Sequence, residues 1–283
     1  MTGTITSKTR GKVNNSDIVD VIMLGRGGVF LNTSWFYLIY SRIRKRIGNM
    51  KAVILAGGLG TRLQPYTFFI PKPMLPLGNK PLLEFIIEWL KRAGGIDEIV
   101  VCVSYLHRQI EDYFEDGARY GVEIEYARSE RPLATAGQLK TAEKLLDNSF
   151  VCVYGDSVYE FNLRKMLAQH KVSKAFVTMA LLHYATKLRY GFIDVNGQDK
   201  VTAWREKPEI SGLINIGCYV MEPDFLKLIP KSASFGMDDA VRKVLDQKRI
   251  VKGFKIDTGF IDIGDKKSYL DAYKQYASKL GKI

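Results

Sequence analysis

The chain has 283 residues, 46% of them hydrophobic, with 42 Lys and Arg against 30 Asp and Glu, and three cysteines. That apolar content suffices for a substantial core and excludes a disordered chain; the composition also excludes fibrous, collagenous and disulfide-rich secreted classes. The net charge of +12 raises a nucleic-acid reading whose weight depends on where the charge lies. Residues 1–49 carry eight Lys and Arg against Asp17 and Asp20, while the other 234 residues carry 34 basic against 28 acidic side chains. Half the excess therefore sits in a short leader, and the mildly basic remainder suits small polyanions such as nucleotides as well as it suits DNA or RNA.

In chain order, residues 1–49 lack periodicity. The stretch from Ile18 to Tyr40 is apolar but broken by Asp20, Arg26, Gly27, Gly28 and Asn32, and a basic cluster (Arg42, Arg44, Lys45, Arg46) follows it. A spanning helix needs roughly 20 nearly uninterrupted apolar residues, and a cleavable signal carries its charges before the apolar run. Three readings stay open: a poorly ordered extension, a weak membrane-surface anchor, or translated sequence upstream of a true start at Met50. The domain boundary falls at Met50, with an N-terminal extension over 1–49 and one folded body over 50–283.

From Lys51 the pattern alternates. Lys51 to Leu55 reads as a buried strand, Pro81 to Arg92 as a helix stopped by Gly94 and Gly95, and Glu98 to Ser104 as a strand covered on both faces. A helix from His107 to Tyr120, a strand from Val122 to Ala127, a helix from Ala136 to Leu146 and a strand from Phe150 to Tyr154 follow. This order predicts an α/β fold with a mostly parallel central sheet. Ala175 to His183, Gly191 to Val195, Val201 to Glu206 and Ile214 to Met221 read as strands with short turns such as Asn196-Gly197, an antiparallel extension on the first sheet. Cys102, Cys152 and Cys218 lie in apolar runs and read as reduced core residues of a cytosolic protein. His107, His170 and His183 lack ligand spacing and read as structural, and Asp238 and Asp239 read as helix-capping residues.

Directly after the first strand comes Leu55-Ala56-Gly57-Gly58-Leu59-Gly60-Thr61-Arg62-Leu63. Glycines there permit positive φ and close backbone approach, and successive N–H groups form an anion-binding concavity. The spacing fits neither a Walker loop nor the dinucleotide G-x-G-x-x-G, whose third glycine position is Leu63. Ten residues past Arg62, Pro71 and Pro73 fix the backbone on both sides of Lys72. A lysine between prolines is ordinarily solvated; its nearness to a phosphate loop argues otherwise. Asp156 sits at the end of the Phe150 to Tyr154 strand, where open α/β sheets place ligand-binding groups. It reads either as a cation ligand or as an ordinary turn or cap residue.

The run GGLGTRLQPYTFFIPKPMLPLGNKPLLE, residues 57–84, resembles the N-terminal signature of the sugar-1-phosphate nucleotidyltransferases (NDP-sugar pyrophosphorylases), and the likeness continues to about Tyr273. It implies a Rossmann-like three-layer fold of the short form, without a C-terminal β-helix, and an antiparallel sugar-binding extension. By that resemblance Leu55, Ala56, Gly57, Gly58, Gly60, Thr61 and Gln138 hold the nucleotide, while Arg62 and Lys72 grip the triphosphate; a guanidinium fork and a compact ammonium neutralise charge on a phosphoryl group under attack. Leu133-Ala134-Thr135-Ala136-Gly137-Gln138 is similar to the family's base-recognition turn, but has Ala134 where Gly is common and Gln138 where Ala is common.

The resemblance further assigns Asp156 and Asp262 to one Mg²⁺, Asp262 lying in a segment similar to W-x-D-I-G with Phe260 in place of Trp. An unpaired Asp262 would cost several kcal/mol to bury, so a cation or basic partner is expected. Tyr190, Gly191, Glu206, Lys207, Asn215 and Gly137 are assigned to the sugar phosphate, with Lys207 among the catalytic cations beside Arg62 and Lys72. The implied reaction joins an NTP and a sugar 1-phosphate into an NDP-sugar and pyrophosphate. The likeness is to mannose 1-phosphate guanylyltransferases first and to glucose 1-phosphate thymidylyl- or uridylyltransferases as the alternative. A regulatory subunit on the same fold would have lost charged positions that are present here, and a glycosyltransferase would want D-x-D where Ser157-Val158 follow Asp156. The expected setting is cytoplasmic, with no nucleic-acid or membrane partner; a homo-oligomer stays open.

Overall fold

Buried β-strands whose residues alternate between two faces organise the molecule. The structure is a computed structural model that describes residues 50–279; the leader with its three readings and residues 280–283 lie outside them. The main sheet has β1 (Ala52–Leu55), β4 (Glu98–Val103), β5 (Glu123–Arg128), β6 (Phe150–Tyr154), β8 (Val177–Lys187), β11 (Glu209–Met221) and β12 (Val251–Ile256), in the order β12-β8-β11-β6-β1-β4-β5. Two-stranded pairs are formed by β2 (Pro76–Leu77) with β3 (Lys80–Pro81), β7 (Ser157–Tyr159) with β13 (Phe260–Asp262), and β9 (Phe192–Val195) with β10 (Val201–Arg205). In the main sheet β1, β4, β5 and β6 run parallel, whereas β11 pairs antiparallel with both β6 and β8.

Among the described residues there are six α-helices, α1 (Leu82–Trp89), α2 (His107–Phe114), α3 (Ala134–Thr141), α4 (Leu163–Ser173), α5 (Met237–Asp246) and α6 (Lys266–Lys279). Strand parity assigns them to layers. Ala52, Ile54, Ile99, Val101, Val151 and Val153 pack with residues of α1, α2, α4 and α6, while Val53, Leu55, Val100, Cys102, Phe150 and Cys152 pack with α3 and α5. Strands β1, β4 and β6 are thus apolar almost throughout, Glu98 at the start of β4 excepted, because both faces of each strand are covered. The result is the three-layer α/β arrangement.

Several elements differ from the sequence expectation. The helix from His107 stops at Phe114 rather than Tyr120, because the Ile124 N–H takes the Asp116 carbonyl and Gly117 turns at φ 82°, where a Cβ would lie 2.9 Å from the Val122 carbonyl. The helix from Leu82 passes into a π turn over Leu90–Gly94 before Gly95 ends it. Helix α3 starts two residues early, at Ala134, and a separate 3-10 turn covers Glu143–Leu145. Asp238 and Asp239 are not caps: the cap position is Gly236, and the two carboxylates lie in the first turn of α5, where they pair with Arg242 and favour the helix dipole. Strands β9 and β10 form a hairpin of their own rather than extending the main sheet.

The antiparallel strands leave the core partway along. In β11, Ile216 to Met221 are buried and Glu209 to Asn215 exposed; the partnering half of β8 is exposed from His183 onward. Between the pairs Asn215 with Leu181 and Tyr219 with Met179, β11 uses four residues where β8 uses two, a bulge. Gly217 sits in it at φ 72°, where a Cβ would fall 2.4 Å from the Tyr154 ring. The outer strand halves and the β9–β10 hairpin form an exposed arm.

Candidate active site

The site forms where the sheet's chain order reverses. The chain passes from β1 outward to β4 and β5, then returns to β6 on the other side of β1, so the carboxyl ends of β1 and β6 define the crevice in which open α/β sheets bind ligands. Gly155, directly after β6, packs against β1: its N–H donates to the Leu55 carbonyl at 2.9 Å, and a Cβ there would come within 2.8 Å of that oxygen. Only glycine lets the two loops approach so closely.

A cavity of about 210 Å³ opens at this point. Eight of the nine residues expected to hold nucleotide line it: Leu55, Ala56, Gly58, Gly60, Thr61, Arg62, Lys72 and Gln138. The exception is Gly57, which is buried and donates its N–H to Gln138 Oε1 at 3.0 Å. The Gln138 carbonyl oxygen is thereby committed to the protein, and the Gly57 amide is not among the donors facing the cavity. Gly60 has φ 62°, and its carbonyl accepts the Thr67 hydroxyl at 2.9 Å, which fixes the loop from behind.

Lys72 is 7% exposed. Pro71 precedes the 3-10 turn Lys72–Met74 and Pro73 lies within it, so the aliphatic stem is held in the protein while the ammonium reaches Asp156 Oδ2 at 2.7 Å. The other carboxylate oxygen accepts the Ser157 hydroxyl at 3.3 Å. Asp262 is opposite Ser157 in the β7–β13 register, and the Ile263 N–H donates to the Asp156 carbonyl at 3.3 Å, so the two acids are neighbours. Asp262 is exposed rather than buried as expected. The protein closing around it still raises its pKa, as does the charge of Asp156, against the opposing pull of Lys72 and Arg62. Two carboxylates meeting in a cleft beside the cations Arg62 and Lys72 have the chemistry to hold a hard divalent cation that takes its remaining ligands from elsewhere. Among the described residues no group of three His, Cys, Asp or Glu gathers to hold a metal by itself.

The expected sugar-phosphate residues divide. Gly191 packs against the Glu206 carboxylate and the Trp204 indole, and Trp204 Nε1 donates to Glu206 at 3.0 Å, which brings the Tyr190-Gly191 and Glu206-Lys207 elements together on the arm. Tyr190 is 78% exposed, and Lys207 holds φ 43°. None of the four lines the 210 Å³ cavity. Asn215 is tied into the bulge, its carbonyl oxygen accepting the Gly217 N–H at 3.1 Å and its amide donating to the Tyr219 hydroxyl. Gly137 is buried in α3, its N–H donates to the Phe235 carbonyl at 3.0 Å, and a Cβ would meet the Ala233 carbonyl at 2.5 Å, so packing alone requires a glycine there.

Sequence reasoning passed over Thr135, Tyr154, Gly155 and Gly264, which also line the cavity. Each lies within three residues of a position that was singled out, and that adjacency was the available signal. The Thr135 hydroxyl accepts the Met237 N–H at 2.9 Å and so joins the starts of α3 and α5.

Residues 51–279 match the Nucleotidyl transferase family model, and the chain belongs to that family. It is 35% identical over 221 residues to the D-glycero-alpha-D-manno-heptose 1-phosphate guanylyltransferase of Campylobacter jejuni, a match covering 78% of this chain and 97% of that one. It is 33% identical over 249 residues to the UTP–glucose-1-phosphate uridylyltransferase of Synechocystis, covering 81% of this chain but 64% of that longer protein. Among solved structures, HddC from Yersinia pseudotuberculosis superposes with a TM-score of 0.64 at 27% identity, over 80% of this chain and 99% of that one.

Proposed function

We propose that this chain transfers a nucleotidyl group from an NTP to a sugar 1-phosphate, releasing pyrophosphate, and that residues 50–283 are its catalytic domain. The observation that carries the reading is the cluster of Arg62, Lys72 and Asp156 in the crevice between β1 and β6. A phosphate oxygen of the sugar 1-phosphate forms a bond to the α-phosphorus, the bond from that phosphorus to the α–β bridging oxygen breaks, and pyrophosphate leaves with the electron pair. Both reactants are polyanions, so the protein's work is alignment and charge neutralisation rather than covalent catalysis. Gly58, Gly60 and Thr61 offer the loop that meets the phosphates, with Arg62 and Lys72 as the cations beside them. Mg²⁺ held by Asp156 and Asp262 supplies Lewis-acid neutralisation of the phosphoryl oxygens when bound. Lys207 and Glu206 on the arm contact the sugar phosphate and sugar hydroxyls.

GTP with a manno-configured sugar 1-phosphate is the favoured pair, supported by the names of the heptose and mannose guanylyltransferases that the chain resembles. UTP with glucose 1-phosphate is the second reading, supported by the Synechocystis relative. A cytoplasmic setting belongs to the same proposal; the three cysteines are free and buried, and no described helix is long and apolar enough to cross a membrane. The test is pyrophosphate release across four NTPs and a panel of sugar 1-phosphates, with Asp156→Asn as control. The variant is expected to fold and to lose turnover by orders of magnitude. Normal release by folded Asp156→Asn, or no release with any pair, would sink the reading.

A further inference from the structure

Asp156 has both carboxylate oxygens engaged by the protein: Lys72 Nζ at 2.7 Å on Oδ2 and the Ser157 hydroxyl at 3.3 Å on Oδ1. The Lys72 partner is not a mobile surface lysine. Its side chain is 9% exposed, and prolines on both sides hold the backbone from which it projects. An ammonium at 2.7 Å from Oδ2 competes for that oxygen with any divalent cation, and two cations at contact distance of one oxygen repel each other. Lys72 also lines the cavity with Arg62, within reach of any polyanion that enters. A triphosphate therefore offers the lysine an alternative partner of higher charge than one carboxylate.

From this arrangement we infer that Lys72 is a resident counter-ion for Asp156 that keeps a divalent cation out until nucleotide phosphates draw the ammonium away. The inference rests on the proposed function and adds an order to it: the metal site opens with the nucleotide and does not load in its absence. Exchange of one cation for another leaves the cleft neutralised at each stage, so the carboxylate pair is never left facing itself without a counter-charge. Lys72 thus acts on the metal through Asp156, as a positioning residue in addition to its role as a phosphate-binding cation.

The experiment measures Mn²⁺ binding to the nucleotide-free chain, following free Mn²⁺ by electron paramagnetic resonance. Wild type is expected to bind weakly. Lys72→Met, which keeps the length of the buried stem and removes the charge, is expected to bind at least tenfold more tightly, and Lys72→Met/Asp156→Asn to return to the wild-type level. Lys72→Gln serves the same purpose should the methionine variant melt below wild type. Tight Mn²⁺ binding by nucleotide-free wild type, no gain in either lysine variant, or a gain that survives Asp156→Asn overturns the inference. No turnover is read, so the result is separate from whether any NTP and sugar 1-phosphate react.

Discussion

The Gly57 N–H donates to Gln138 Oε1 at 3.0 Å, a bond that ties the glycine loop to α3 across 81 residues of chain. Gly57 is buried, so removing its acceptor leaves a backbone donor poorly satisfied, at a cost of about 1–3 kcal/mol. Gln138→Ala is expected to lower the urea midpoint accordingly. Gln138→Glu keeps an acceptor, so it should hold stability better while its negative charge raises the KM for nucleotide. Equal midpoints for wild type and Gln138→Ala would refute the tie.

Asp262, although exposed, carries a pKa above the usual carboxylate range, first because the surrounding protein partly desolvates its carboxyl and then through the charge of Asp156. The folded chain therefore binds this proton more tightly than the unfolded chain. The stability tied to it is present below the unfolded value and is lost as pH rises through the folded one. Without metal or nucleotide, Asp262→Asn is expected to melt higher than wild type at pH 7, with the difference vanishing below about pH 4, and to lose turnover. A lower Tm at pH 7 would contradict this sign.

Ala134 occupies the left-handed region, at φ 53°. That conformation costs a side-chain-bearing residue about 1–2 kcal/mol, offset in part by the extra freedom glycine gives the unfolded chain. Ala134→Gly is expected to stabilise by about 0.5–1 kcal/mol, read as a higher urea midpoint at unchanged slope.

Burial pushes the Cys102 thiol up to about 12 and holds Cys152 and Cys218 well above their ordinary value too. The thiolate is the reactive form. At pH 8 the native chain is expected to give no reaction with an aromatic disulfide reagent, and all three thiols to react after addition of guanidinium. Rapid labelling of the native chain would show that the sheet opens locally around β4, β6 or β11.

The central strands were legible because both of their faces are covered, which makes each an unbroken apolar run. Strand β12, with Lys252 and Lys255 exposed, gave no such run, and the hairpin of β9 and β10 buries no residue, so alternation could not place it. In the site, Arg62, Lys72 and Asp156, which line one cavity, are readable from motif and spacing. The partners of the Gly57 and Gly137 amides, Gln138 and the Phe235 carbonyl, lie far along the chain, and local sequence does not reveal them. The exposure of Asp262 is not legible from its apolar neighbours because it ends β13 of a two-stranded ribbon, and of the two only Ile263, beyond the strand, is buried in the core.

The bulge at Gly217 separates two kinds of evolutionary freedom. Beyond Asn215 the outer half of β11 and the hairpin bury nothing, so residues such as Ile210, Trp204 and Tyr190 can be exchanged with little penalty to folding. That part of the chain is free to change its surface. Gly217 itself is not: its missing Cβ makes room for Tyr154, a wall of the 210 Å³ cavity. The arm can thus be rebuilt on one fixed pivot while the cavity behind it keeps its shape.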